Sequence, residues 1–379
     1  MKHLHHKLSV HPNMLTYARL YQDVSFKEKS FTDIDALILA QMSYYIYQDS
    51  SIGKDAFSYP VSHFLVGDYT ELITGVLTAQ EDRSLIELLK QGGRHGDLKV
   101  ANHVDIFDKE KQQQFSATTY RIGRNEYYIA FRGTDNSIIG WQEDFNLSFL
   151  PEIPSQKEAV AYAMDMVKQY RGHFYFGGHS KGGNLAVYAA ASLPARMQKR
   201  VTRIYNFDGP GFTEDFYHST GYLKIRDFIY KYIPQSSIIG LLLEEEKNYL
   251  VVESTASTIL QHNPYTWVIE DDRFHFLDSI DSFALLWKTS IDQWLAELEL
   301  DERRVIVETL FGIIASTGVT CFSEMTEHSQ NRIKNLILSI SDTDSTRKHQ
   351  IKDALIRLFQ ISAKEFKNMA AIKKRQNCY

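Results

Sequence analysis

The 379-residue sequence predicts an α/β architecture, a mainly parallel sheet flanked by helices with a helical C-terminal appendage. Three observations lead to it. Short runs rich in β-branched and aromatic residues alternate with segments of helical apolar spacing, the pattern of parallel strands joined by covering helices. From about residue 280 onward only the helical pattern persists. At the centre, the stretch from His173 to Ala190 passes from an aromatic run through paired glycines into an alanine-rich segment without proline. That order reads as strand, tight turn and helix, with Ser180 at the turn. The expected division is a sheet domain over 1–280 and a helical extension over 281–379 packed on it.

Taken in order, Thr32 to Tyr47 reads as a helix, with Thr32 as N-cap, Asp35 three residues on, and Ile34, Leu37, Ile38, Met42 and Tyr45 on one face. Residues 49–115 yield little beyond a helix from Ser84 to Lys90, ended by Gly92-Gly93, and a polar stretch around His95 and Asp97. Ala117 to Ile122 and Glu126 to Phe131 read as two strands joined by a tight turn. Residues 136–154, aromatic and bracketed by Pro151 and Pro154, read as irregular and fit a flap over a pocket. Gln156 to Tyr170 is a helix leading into the central strand. Further strands are expected at Arg203 to Phe207, Ile225 to Ile233 and Tyr249 to Glu253, then helices at Phe283 to Leu298, Glu302 to Ser316, Glu324 to Ser339 and Thr346 to Met369. Glu244-Glu245-Glu246 and the basic end from Lys364 to Arg375 read as solvated runs.

Composition excludes several classes. With 44% hydrophobic residues the chain supplies a large core, and a net charge of −5 gives no electrostatic footprint for nucleic acid. Only Cys321 and Cys378 are present, far apart and without a C-x-x-C, so a reducing, cytoplasmic setting is expected. The start is basic but lacks the apolar core of a signal peptide. Apolar runs such as 305–319 are interrupted by Glu308, Thr309, Ser316 and Thr317 and fall short of the roughly 20 residues a membrane span needs, so no stable membrane insertion is expected. No cofactor or metal is expected: His3, His5, His6 and His11 match no zinc spacing. The run Gly177 to Gly183 lacks the lysine of a phosphate loop at its end.

The chemistry centres on Gly178-x-Ser180-x-Gly182, a nucleophile elbow in which the serine takes a strained backbone at the top of a sheet. A Cβ at either glycine is expected to collide with a neighbouring strand or helix. The competing reading is an ordinary turn with a helix-capping serine. A serine nucleophile needs a base and a group to orient it. His262, in the loop Gln261-His262-Asn263-Pro264 after the last strand, is the leading base, with His275 second. Asp208, the first residue past the strand after the elbow helix, is the candidate acid, against an Asx-type turn before Gly209-Pro210. Thr134 and the backbone N–H of Lys181 are the candidate oxyanion donors.

Ala130-Phe131-Arg132-Gly133-Thr134-Asp135, then Trp141-Gln142-Glu143-Asp144-Phe145, then Gly178-His179-Ser180-Lys181-Gly182-Gly183-Asn184-Leu185-Ala186 resemble the class 3 lipases of the α/β-hydrolase superfamily. The resemblance implies an α/β-hydrolase fold, Ser180 as nucleophile, Thr134 as oxyanion residue and Asp144 as its support. A closer resemblance, over roughly residues 30–290, is to a group of bacterial α/β-hydrolase-like proteins that share this elbow, a segment like Pro234-Gln235-Ser236-Ser237 and Gln261-His262-Asn263-Pro264 before a tryptophan, here Trp267. The chain departs from class 3 lipases at Lys181, where leucine is usual and a cation is expected to alter which acyl chains or head groups are tolerated, and at Ser236-Ser237, where those lipases carry the acid. Phe207-Asp208-Gly209-Pro210 instead resembles the aspartate turn of pancreatic-type lipases. The expected function is a serine acyl hydrolase, esterase-like, lipase-like or thioesterase, acting on a small-molecule ester or thioester, lipids included. The alternatives are a catalytically inactive scaffold with a binding or regulatory role, and acyl transfer to an acceptor other than water.

Overall fold

The computed structural model describes residues 11–45, 47, 57–68, 72–74, 78–316, 349, 352–354, 356–358 and 360–367. The elements used below are helices α1 (Met14–Leu20), α2 (Asp33–Met42) and α3 (Ala79–Lys90), strands β1 (Lys99–Asp108), β2 (Gln113–Gly123) and β3 (Glu126–Phe131), helices α4 (Ile138–Asn146) and α5 (Pro154–Gln169), strand β4 (His173–His179), helix α6 (Lys181–Ser192), strands β5 (Val201–Phe207), β6 (Ile229–Pro234), β7 (Tyr249–Val252) and β8 (Phe276–Leu277), and helices α7 (Ser282–Ala296) and α8 (Leu300–Ser316).

The eight strands form one sheet in the order β1 to β8. The pairs from β3 to β7 are parallel, whereas β1–β2, β2–β3 and β7–β8 are antiparallel. The pleat sends alternate side chains to opposite faces. On β3, Tyr128 and Ala130 join the core beneath α1, α2 and α3. Tyr127, Ile129 and Phe131 join the core beneath α5 and α6. A sheet buried on both faces needs near-continuous apolar strands, and Phe174, Phe176, Ile204, Tyr205 and Phe207 are all fully or almost fully buried. Burying each such side chain contributes roughly 1.5–3 kcal/mol before the entropy of ordering is subtracted.

Local signals explain most element ends. Thr32 caps α2: its hydroxyl accepts from Asp35 N–H, and the Asp35 carboxylate accepts from Thr32 N–H at 2.8 Å. Pro154 opens α5, where its missing N–H costs nothing. The sheet with helices on both faces and a strand-to-helix turn at the end of β4 is an α/β-hydrolase fold.

Several expectations need correction. Residues 138–146 form helix α4 rather than irregular chain, because Ser137 caps it through Gly140 N–H. Strand β1 was not foreseen, and α3 begins at Ala79 rather than Ser84. Thr220–Ile225 is a short helix and Arg226–Phe228 a turn, so β6 starts only at Ile229. Glu244 is not solvated; it is buried against Lys231. The polar stretch around His95 is a buried anchor: Arg94 grips both Asp35 oxygens at 2.8 and 2.7 Å, and His95 Nε2 meets Asp35 at 2.8 Å. Burial works to raise the Asp35 pKa, but Arg94 and His95 hold its carboxyl well below the usual carboxylate range. The helix expected over Glu324 to Ser339, Cys321, Cys378, and His3, His5 and His6 lie outside the described residues. Among the described residues no helix is long and apolar enough to cross a membrane.

Candidate active site

Ser180 joins β4 to α6 with φ 58 and ψ −133, a backbone region that costs a side-chain-bearing residue of order 1–3 kcal/mol. The turn closes only because its flanks lack side chains. A Cβ on Gly178 would stand 2.3 Å from the Gly182 carbonyl carbon, and one on Gly182 would stand 2.1 Å from Phe131 O. Ser180 N–H donates to Phe207 O at 2.9 Å, which locks the turn to the end of β5.

Asp208 begins where β5 ends, also in the left-handed region with φ 52. The Asx-type turn considered from the sequence exists but belongs to Asn206, whose Oδ1 accepts from Gly209 N–H at 2.8 Å. The Asp208 carboxylate is thereby left for other partners. Its Oδ2 lies 2.7 Å from His262 Nδ1, and its Oδ1 accepts from the Ser237 hydroxyl at 2.5 Å. Of the two serines that follow β6, Ser237 therefore holds the carboxylate at the end of β5, whereas the Ser236 hydroxyl donates to Asp281.

His262 ends a short helical turn, Thr258–His262, between β7 and β8. Its ring lies 4.4 Å, centroid to centroid, from that of His179, the residue before Ser180. No hydrogen bond joins the Ser180 hydroxyl to the His262 ring among the described residues, a contact that commonly tightens only when substrate binds. His275, the second candidate, pairs instead with Glu270 at 2.8 Å and Glu253 at 3.6 Å.

On the other side of Ser180, the Thr134 hydroxyl donates to Asp144, the support expected for it. The backbone N–H groups of Thr134 and Lys181 find no acceptor among the described residues. Burial pushes the Asp144 carboxyl up to about 6, with Lys181 and then Thr134 pulling the other way. The Lys181 cation does not face an acyl chain or head group. Its side chain is fully buried, and Nζ donates to Glu143 Oε2 at 2.8 Å, Gln114 O at 2.9 Å and Gln114 Oε1 at 3.1 Å.

Residues 89–312 match the family model described as Mbeg1-like, more than half of the chain. The chain belongs to the Mbeg1-like family. A comparison with curated proteins finds no match. Among solved structures this Mbeg1-like chain is similar to M37 lipase, at 16% identity over 56% of this chain and 70% of that one, with a TM-score of 0.33. It is also similar to the lipase of Rhizomucor miehei in its propeptide complex, at 21% identity over 52% of this chain and 67% of that one, with a TM-score of 0.33. The lipase of Rhizopus microsporus var. chinensis is similar at 15% identity over 68% and 84%, with a TM-score of 0.38.

Sequence reasoning missed three supports of this Mbeg1-like site. His179 donates from Nε2 to the His262 carbonyl at 2.8 Å; burial, then the charge of His262, keeps its pKa well below the ordinary value. Trp267 Nε1 donates to Gln261 O at 2.8 Å. Tyr265 donates to buried Asp82 at 2.7 Å, beside Tyr45, Gln41 and Thr78. The tight spacing of Gln261, His262, Tyr265 and Trp267 was the available signal. Partners as remote as Asp82 leave no local mark.

Proposed function

We propose that the protein is a serine acyl hydrolase acting on a carboxylic ester or thioester with an apolar acyl part. The observation that carries this reading is the 2.7 Å pairing of His262 Nδ1 with Asp208, formed beside a strained strand-to-helix turn that bears Ser180. Ser180 Oγ attacks the carbonyl carbon and its proton passes to His262 Nε2, while Asp208 holds Nδ1–H and stabilises the imidazolium. The carbonyl oxygen, now an oxyanion, takes hydrogen bonds from Lys181 N–H and Thr134 N–H. Collapse breaks the bond to the alcohol or thiol, which leaves with the proton from His262. Water, activated by the same histidine, then releases the acid and restores Ser180. No cofactor or metal enters this sequence.

The apolar acyl part is supported by Ile259 and Leu260, just before His262, and by Phe145, beside Asp144, all exposed. We also take residues 281–379 as a helical extension packed on 1–280. Phe311 of α8 lies 5.5 Å from Phe145 of α4, ring to ring, and Arg303 donates to Ser148 O at 2.8 Å.

The test is labelling by a fluorophosphonate probe, with the wild type compared with Ser180→Ala and His262→Ala. Labelling lost in both variants is the expected result. A wild type that stays unlabelled beside a reacting control hydrolase overturns the reading in favour of a non-catalytic scaffold.

A further inference from the structure

The side chain of the residue after Ser180 is a buried cation, an expensive choice unless fully satisfied. The three N–H bonds of Lys181 meet three acceptors, on Glu143 and Gln114. Glu143 is equally buried, and besides Lys181 it takes Gln114 N–H at 3.1 Å, Ser155 N–H at 2.9 Å and the Ser155 hydroxyl at 2.8 Å. One end of this network is the residue whose N–H is proposed above as an oxyanion donor. The other end is the peptide neighbour of Asp144, which receives the Thr134 hydroxyl.

We propose that the Lys181–Glu143 ion pair is the positioning device of the oxyanion hole: by tying helix α4 to the start of α6 it sets the distance between the Lys181 and Thr134 donors. This rests on the serine hydrolase reading. The pair also makes α4 a fixed wall of the site rather than a flap, since swinging it away would part a fully buried cation from its counter-charge. A hydrophobic residue at 181 would fill the same space without reaching α4 by a directed bond.

The experiment compares the wild type, Lys181→Met, the double variant Lys181→Met/Glu143→Leu, and Glu143→Gln. The readouts are thermal melting, hydrolysis of p-nitrophenyl butyrate, and inhibition by a butyl trifluoromethyl ketone, whose serine adduct carries an oxyanion. The single Lys181 variant should melt lower, because Glu143 keeps its bonds from Gln114 and Ser155 but loses its buried counter-charge. The double variant should recover part of that loss, since both charges are gone while the donors of Gln114 and Ser155 lose their acceptor. Its kcat should still fall tenfold or more with KM nearly unchanged, and its inhibitor affinity should fall in parallel. Glu143→Gln keeps the shape and an accepting oxygen and should show a smaller loss of the same kind, which also serves if the double variant does not fold. A folded double variant, or a Glu143→Gln protein, with wild-type kcat and inhibitor affinity would reduce the pair to a purely structural role and overturn the proposal alone. A wild type that neither hydrolyses the ester nor reacts with a fluorophosphonate would instead overturn the hydrolase reading, and this proposal with it.

Discussion

His179 Nε2 donates to the backbone carbonyl of His262 at 2.8 Å, so the residue before Ser180 grips the loop that carries the histidine beside it. The bond fixes the His179 tautomer, because a carbonyl only accepts, and leaves Nδ1 to face the Tyr44 hydroxyl at 3.4 Å. Replacing His179 by phenylalanine keeps a ring in place and removes the donor. Fluorophosphonate labelling should slow about fivefold to tenfold, the worth of one hydrogen bond of about 1 kcal/mol, while the melting temperature changes little.

Asp208→Asn should be far more damaging. An amide at this position lets the His262 ring settle in the wrong tautomer, and hydrolysis should fall about 10⁴-fold with the fold retained. Ser237→Ala removes the second bond to the same carboxylate, together with the acceptor of Gly240 N–H, and hydrolysis should fall about tenfold or less. Steady-state rates of the two variants, measured side by side, check the ranking.

Gly182→Ala tests the turn itself. The added methyl would lie 2.1 Å from Phe131 O, a main-chain atom that cannot rotate away. A loss of at least the 1–3 kcal/mol typical of overpacking is expected, measured by urea unfolding. Labelling of Ser180 should drop with it.

Burial pushes the Asp144 carboxyl up to about 6, and does the same to Asp82 against hydrogen bonds from Thr78, Tyr265, Gln41 and Tyr45. Unfolded, each titrates near 3.9, so between about pH 4 and pH 6 the folded chain holds more protons than the unfolded one. Stability therefore falls as pH rises through that window and levels off above it. Asp35, held low, acts oppositely, its contribution being lost as pH falls through its folded value. Asp144→Asn should flatten the decline between about pH 4 and about pH 6 by about 2 kcal/mol, read from urea midpoints.

The legible part of the fold was whatever carried a local period or a steric demand. Ile34, Leu37 and Ile38 recur at helical spacing and are buried as that spacing requires. The glycines around Ser180 announce a close approach that the backbone indeed makes. Helix α4 was misread because Trp141 to Leu150 lack a clean apolar stripe; several of its contacts are polar and inward, with Glu143 and Asn146 buried. Strand β1 was missed because its outer half, from Asp105 to Asp108, alternates with solvent and carries charge. Ser180, Asp208 and His262 could be nominated by chain order and turn chemistry. The partners of Lys181 could not, since Gln114 and Glu143 lie on separate elements that only the tertiary fold brings together.

Tyr265 reaches Asp82 across 183 residues of chain. Closing so long a loop is entropically costly and depends on other parts of the fold having already formed. One anchor of the loop with His262 is thus a residue from the first quarter of the chain, beside the nearer anchors His179 and Ser236. Helices that touch neither Ser180 nor His262 therefore help to set how the two stand to each other, and a fragment lacking them would lose the Asp82 anchor of that loop.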